Sequence, residues 1–247
     1  MDSVKGSIQS NQEIAKDTYQ MVIASTITSD MEPGQFVNLQ IEGFMLRRPI
    51  SISAIDTDTF TIVYKVVGDG TAKLATMEAQ EDIDILGPLG NGYKIQASQQ
   101  KVLIIGGGVG VPPLYEVAKR YRALGKQVDV VLGFNDHTAL FYEKEFQDLG
   151  ATVYVATMDG SYGVKGTVMD AIQKAGITTD FVCACGPVPM LKAIERVYTK
   201  GYMSFESRMA CGMGACMACV ARDKKEADLY HRICKEGPVF PIGKVEF

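Results

Sequence analysis

The spacing of apolar and polar residues changes character near Lys101. Before it, from Ser3 to about Gly92, short β-branched runs alternate with polar positions: Tyr19–Thr28, Gln35–Ile41, Thr59–Val67 and Ile83–Leu86. A period of two marks strands with one buried face. Glu32-Pro33-Gly34, Asp56–Asp58, Gly68-Asp69-Gly70 and Gly87-Pro88 punctuate the runs with turn residues. Strands at this spacing predict a small antiparallel barrel or sandwich. Lys73–Ala79 reads as one short helix between them.

After Lys101 the strands lose their alternation. Val102-Leu103-Ile104-Ile105 is continuously apolar, as expected where both faces of a sheet are covered. It runs into Gly106-Gly107-Gly108-Val109-Gly110-Val111-Pro112-Pro113-Leu114 and a helix reaching about Leu124. The pattern then predicts strand Val128–Gly133, helix Ala139–Leu149, strand Thr152–Thr157, helix Thr167–Ala175 and strand Asp180–Cys185. Strands alternating with helices imply a doubly wound parallel sheet. The fold class is thus α/β plus β, with expected domains at 1–98, 99–205 and 206–247.

A glycine turn between strand and helix is the context a dinucleotide site requires. Gly108 and Gly110 let backbone approach a pyrophosphate, and proline suits a first helical turn. After the second strand stands Asn135-Asp136, not the arginine that would welcome a 2′-phosphate, which favours NADH over NADPH.

The last stretch holds the densest chemistry. Cys211, Cys216, Cys219 and Cys234 form C-x4-C-x2-C-x14-C, whose opening matches plant-type [2Fe–2S] ligation. Gly212, Gly214, Ala210, Ala215 and Ala218 keep the loop small enough to wrap inorganic sulfide and aim N–H groups at sulfur. Zinc remains an alternative, although structural zinc sites favour paired short knuckles and this chain has one, Cys216 and Cys219. A disulfide framework suits small secreted chains. A Rieske centre needs two histidine ligands, and His137 and His231 lie far apart in sequence. His231 and the charge run Asp223–Asp228 read as solvated surface, with tuning of the cluster potential by His231, close to Cys234, as the alternative. Cys183 reads as a buried core thiol.

Composition changes this picture only by exclusion. The chain has 247 residues, 25 basic and 29 acidic side chains, and a formal net charge of −4. That balance argues against nucleic acid or an anionic membrane as the main partner. The N-terminus lacks the features of a signal peptide, and no apolar run is long enough to span a bilayer. A cytoplasmic setting is expected, where thiols stay free or bind metal.

Two segments of the β-rich region gain meaning together. Arg48-Pro49-Ile50-Ser51, followed by a strand and Gly68-Asp69-Gly70-Thr71, then Gly87-Pro88-Leu89-Gly90, resembles the flavin domain of the ferredoxin reductase family. The resemblance implies that Arg48 meets an FAD pyrophosphate and that Ser51 lies near the flavin N5, with Pro49 and Ile50 completing the motif. It implies further FAD contacts at Lys65, Val66, Val67, Gly70 and Thr71. Gly108-x-Gly110-x-x-Pro113 is similar to that family's G-x-G-x-x-P turn. Cys185-Gly186-Pro187-Val188-Pro189-Met190 resembles its C-G-P-x-x-M, which implies that Cys185 and Gly186 lie beside the nicotinamide.

Along its whole length the chain resembles the electron-transfer subunits of B-type, NAD-dependent dihydroorotate dehydrogenases. R-P-I-S, G-G-G-V-G-V-P-P-L, C-G-P-V-P-M and E-S-R-M-A-C-G-M-G-A-C-M-A-C…C-x-x-G-P-V-F all fit that family. The resemblance implies FAD, a [2Fe–2S] cluster and NAD as cofactors. It also implies an FMN-containing catalytic partner that oxidises dihydroorotate to orotate, in a complex of two subunits of each kind. Flavin would convert between two-electron hydride and one-electron cluster chemistry. A diaphorase subunit of a hydrogenase or transhydrogenase shares the layout, and a zinc-stabilised binding module is the other alternative.

Overall fold

In the computed structural model, which describes residues 3–246, the alternating region closes into an antiparallel barrel. Its strands are β1 (Val4–Ala15), β2 (Thr18–Ala24), β3 (Phe36–Gln40), β4 (Arg48–Ile55), β5 (Thr59–Lys65) and β6 (Asp82–Leu89). They are hydrogen-bonded in the order β1-β2-β5-β4-β3-β6. Inward positions such as Ile8, Met21, Val37, Leu39, Ile52 and Ile62 form one core.

The barrel's helix, α1 (Asp69–Ala75), starts earlier than the expected Lys73–Ala79. Thr71 causes the shift. Its hydroxyl accepts N–H bonds from Val67 at 2.9 Å and Gly68 at 3.2 Å, which fixes the helix start at Gly68.

The second domain adds β7 (Lys101–Gly107), α2 (Pro112–Ala123), β8 (Gln127–Phe134), α3 (Glu143–Asp148), β9 (Thr152–Thr157) and β10 (Val164–Lys165). It continues with α4 (Val168–Ala175), β11 (Phe181–Cys185), α5 (Val188–Glu195) and β12 (Lys200–Ser204). The strands run parallel in the order β10-β9-β8-β7-β11-β12. Leu103 and Ile105 face α4 and α5, while Val102 and Ile104 face α2 and α3. Both faces are therefore buried, which is why β7 reads as an unbroken apolar run.

Helix α3 is shorter than the expected Ala139–Leu149. A 3-10 turn at His137–Ala139 precedes it, and Tyr142 adopts φ 67° at its N-cap. That left-handed turn costs local energy for a bulky residue. It places the Tyr142 hydroxyl where it accepts from Ser53 at 3.1 Å and donates to Gln20 Oε1 at 2.9 Å, joining the two domains.

After β12 the chain makes a loop with a small hairpin, β13 (Val220–Arg222) and β14 (Tyr230–Arg232). It then returns as β15 (Val239–Pro241), which pairs antiparallel with β12 and completes the sheet edge. The cysteine segment is thus tied to the parallel sheet at both ends. Asp223, expected to be solvated, is 2% exposed. It accepts from His231 Nε2 at 2.8 Å and Lys244 Nζ at 2.6 Å. His231 is likewise enclosed, tilted against Phe240 with ring centroids 5.6 Å apart. The rest of the run, Lys224 to Asp228, is exposed as expected.

Candidate functional site

Strand β4 is the natural place to start, because it lies between β3 and β5 and still leaves its first four residues half-buried on both faces. Those residues are Arg48, Pro49, Ile50 and Ser51. An interior strand open in this way presents a surface for a flat ligand. The Arg48 guanidinium stacks over the Phe44 ring at 4.8 Å and donates to the Leu46 carbonyl. It also lies directly on Gly70, where an added Cβ would fall 2.3 Å from Arg48 Nε. The two motifs, distant in sequence, are therefore in contact at the start of α1. The Thr71 hydroxyl is committed to the turn, so what Thr71 contributes is the shape of the helix start. Val66 donates to Asp17 O at 2.8 Å, and Val67 and Lys65 are exposed.

A cleft of about 510 Å³ opens at the carboxyl ends of the parallel strands. Gly107, Gly108 and Asn135 line it, with Pro187 and Met190 from the other side and Lys65 from the barrel. Lys65, expected at the flavin, also lines this cleft. Ligands of open α/β sheets bind in such crevices. Gly110 must be glycine: a Cβ there would meet Cys185 O at 2.5 Å and Gly186 Cα at 2.6 Å. That close approach presses the glycine turn against the end of β11.

Cys185 and Cys183 are each 1% exposed on the α2 side of the sheet. Burial pushes both thiols up, and for Cys185 the Glu206 charge adds to this while a Ser204 hydrogen bond opposes it. Both remain neutral thiols, so Cys185 offers packing and a weak S–H donor, not a thiolate. Glu206 keeps solvent access but is crowded by protein, and this desolvation raises its carboxyl. Asp136 at the end of β8 is held ionised by hydrogen bonds from the Thr138 hydroxyl and N–H. A fixed negative charge there disfavours a 2′-phosphate.

The four cysteines of the loop come together as two pairs. Cys216 Sγ lies 3.3 Å from Cys211 Sγ, and the Cys216 N–H donates to that same sulfur at 3.4 Å. The Cys234 N–H donates to Cys219 Sγ at 3.4 Å, and their thiols are in hydrogen-bond contact. The first pair is half-buried; the second is 1% exposed, in a core with Phe36, Leu89, Ile233 and Phe240. Among the described residues no three metal-ligating side chains converge on a point that would hold a single ion. Two pairs, not one tetrahedral set, are what a binuclear cluster with two thiolates per iron asks for.

The two pairs differ in their electrostatics. Burial raises the Cys211 thiol, but N–H groups of Cys216, Met213 and Ala215 together with the Cys216 thiol outweigh it and bring it down to about 6. Cys234 is pushed up to about 12 by burial, then by its hydrogen bond to Cys219 and that neighbour's charge. A cationic iron centre would reverse this, because coordinating thiols are deprotonated outright. Gly212 and Gly214 take φ of 68° and 80°, and side chains there would strike Asn38 and Lys235. The cradle fits the group. Asn38 carries no signal in the sequence, since a lone amide in a strand has no spacing pattern, and Glu206 stands there only as the first residue of the E-S-R-M-A-C match.

Barrel, nicotinamide sheet and cysteine loop together define a ferredoxin-reductase-like, NADH-linked flavin and iron–sulfur oxidoreductase, working with FAD, a [2Fe–2S] cluster and NAD. Residues 206–246 match the iron-sulfur cluster binding domain of dihydroorotate dehydrogenase B, and residues 104–196 an oxidoreductase NAD-binding domain. The chain is 47% identical, over 97% of both chains, to the dihydroorotate dehydrogenase B (NAD(+)) electron transfer subunit of Fusobacterium nucleatum. It is 46% identical, over 96% of both chains, to that of Bacillus cereus strain G9842. It belongs to this family of electron transfer subunits. A chain of the NADH-dependent reduced ferredoxin-NADP oxidoreductase superposes with a TM-score of 0.88 at 30% identity, covering 98% of this chain and 89% of that one. The ferredoxin reductase of carbazole 1,9a-dioxygenase shares the fold, with a TM-score of 0.69 at 19% identity over 79% and 64%.

Proposed function

We propose that the chain carries electrons between NAD and the FMN of a dihydroorotate-oxidising catalytic subunit, in a complex of two subunits of each kind. Membership in a family of electron transfer subunits makes it one part of a larger enzyme, with a catalytic subunit as its partner. A bound FAD would supply the conversion between two-electron hydride chemistry with NAD and one-electron chemistry with a [2Fe–2S] cluster held by the cysteine loop. The observation that carries the reading is the pairing of four thiols against β3, the strand next to the flavin motif.

The chain's own residues then divide the work. Arg48, Gly70 and the start of α1 hold the FAD pyrophosphate, with Thr71 setting the helix start and Lys65, Val66 and Val67 flanking it. Pro49 and Ile50 would meet the flavin ring, and the Ser51 hydroxyl would offer a hydrogen bond near its N5. Gly108 and Gly110 bring backbone up to the NAD pyrophosphate, and Cys185 and Gly186 floor the nicotinamide end. Cys211 and Cys216 hold one iron, and Cys219 and Cys234 the other. Functional units at 1–98, 99–205 and 206–247 follow these three tasks. Met213, Met217, Val220 and Tyr230 leave an exposed apolar rim around the cysteine loop, suited to a docked partner. Among the described residues no helix is long and apolar enough to cross a membrane. We place the protein in the cytoplasm, where these thiols stay available for iron.

The test is isolation with the partner and measurement of mass, FAD, FMN and iron together, followed by orotate-dependent NADH oxidation. Cys219→Ser should lose iron and transfer to the partner while keeping FAD. A colourless protein, zinc in place of iron, or full iron content in Cys219→Ser would defeat the assignment. Activity with ferredoxin and none with orotate would favour the transhydrogenase type instead.

A further inference from the structure

The outer face of β3 joins the flavin strand to the cysteine loop. Val37 and Leu39 fill the barrel, so the alternating positions Phe36 and Asn38 point outward. Across the ladder Phe36 pairs with Ser51 and Asn38 with Pro49, and cross-strand partners share a face. These four residues therefore form one patch on the flavin motif. Phe36 shares a core with Cys219 and Cys234, and Asn38 Nδ2 donates to the Cys211 carbonyl at 3.3 Å. The second contact is tight. Gly212, in the left-handed region at φ 68°, lies so close that a Cβ would fall 2.0 Å from Asn38 Nδ2.

Asn38 is 2% exposed, and its Oδ1 is buried without a hydrogen-bond partner. Leaving a buried acceptor unpaired works against barrel stability, and an apolar side chain of similar size would avoid that cost. The backbone beneath it is braced as well. The Arg47 guanidinium donates to Asn38 O at 3.4 Å and to Asp84 O at 3.3 Å, and is ion-paired with the Asp84 carboxylate at 2.5 Å. A buried amide held this firmly, with one hand on the cysteine loop, is placed for the loop and not for the barrel.

We propose that Asn38 is a positioning residue that docks the first cluster cysteine onto β3, beside the flavin motif. It takes up no electron and no proton; it fixes the separation across which single electrons pass between the flavin patch and the loop. The inference rests on the electron-carrying role proposed above, but the docking itself is a contact between amide and backbone.

Two variants of the FAD- and iron-loaded protein test it, Asn38→Leu and Asn38→Asp. Hydrogen exchange by mass spectrometry across 206–220 should be about fivefold faster in Asn38→Leu, the weight of one ordinary hydrogen bond. It should be faster still in Asn38→Asp, where a carboxylate would face the Cys211 carbonyl. In stopped flow, NADH should bleach FAD at the wild-type rate while cluster reduction slows by at least the same factor. Wild-type exchange in both variants would overturn the proposal. So would equal slowing of the NADH-to-FAD step, which would make Asn38 a general support of the barrel. If a variant loses iron, its exchange against metal-free wild type still reads docking. If the wild type itself binds no iron, the electron-transfer reading falls while the exchange result still decides the contact.

Discussion

Glu116 ties α2 to the end of β4, and its removal offers the sharpest energetic test of how the two domains are held. Its side chain is 1% exposed. Oε2 accepts the Ile55 N–H at 3.0 Å, and Oε1 accepts Arg120 Nε–H at 2.6 Å. Lys119 Nζ lies 3.5 Å from Oε2 and donates to the Ile55 carbonyl at 2.8 Å. In Glu116→Ala the Ile55 N–H is stranded in a dry interface, a loss of about 2 kcal/mol. Arg120 and Lys119 have side chains 48% and 34% exposed, so both can turn to water. Their release adds about 1 kcal/mol and not the full cost of a buried unpaired charge. The sum is about 3 kcal/mol. Glu116→Gln keeps an acceptor for Ile55 and should lose about 1 kcal/mol.

Urea unfolding of the FAD-loaded protein, followed by flavin fluorescence and circular dichroism, reads this out. A chain of several domains need not unfold in one step, so both probes are needed. The expected order of midpoints is wild type, Glu116→Gln, Glu116→Ala, with the two probes separating in the last. A Glu116→Ala protein within about 0.5 kcal/mol of wild type would refute the reasoning, because such a value belongs to surface substitutions.

Two further outcomes follow from contacts already described. Gly110→Ala drives a Cβ into the backbone of Cys185 and Gly186, so it should cost about 1–3 kcal/mol and raise the KM for NADH, with FAD content unchanged. An unchanged KM would mean that the glycine turn does not contact the dinucleotide. Asp223 is held far below the usual carboxylate range by Lys244, then His231, then backbone N–H groups. A depressed folded-state pKa gives stability that is present above the unfolded value, about 3.9, and is lost as pH falls towards the folded one. Wild type should therefore be more stable than Asp223→Asn at neutral pH, and the two should converge below about pH 4. A gap in urea midpoint that is independent of pH would contradict this.

Much of the architecture was legible because local and global preferences agree. Val102–Ile105 looks like a doubly covered strand and is one, since α2 and α4 bury its two sides. The glycine turn after it stands where strand and helix meet. Legibility failed where a long-range contact outbids local pattern. Residues 139–149 carry a helical run, yet Tyr142 turns left-handed to reach Ser53 and Gln20 from the barrel. Asp223 sits in a charge run that looks solvated, yet the β13–β14 hairpin turns it towards Lys244 near the chain end. The cysteine spacing marks four thiols in order, but not which two are buried together. That depends on Ile233 and Phe240 closing over Cys219 and Cys234.

The pairing of β15 with β12 has a consequence for how the protein is built. An unpaired outer strand invites association with other chains. Here the three-residue β15 covers β12, with Phe205 N–H bonded to Pro238 O at 2.9 Å and Ile242 N–H to Gly201 O at 3.1 Å, so that the outermost strand is a very short one. The cysteine segment is therefore an excursion out of a finished sheet. Lengthening such an excursion costs only about 0.6 kcal/mol per doubling of its length. The segment could therefore be enlarged to suit a different partner without unpairing β12 from β15.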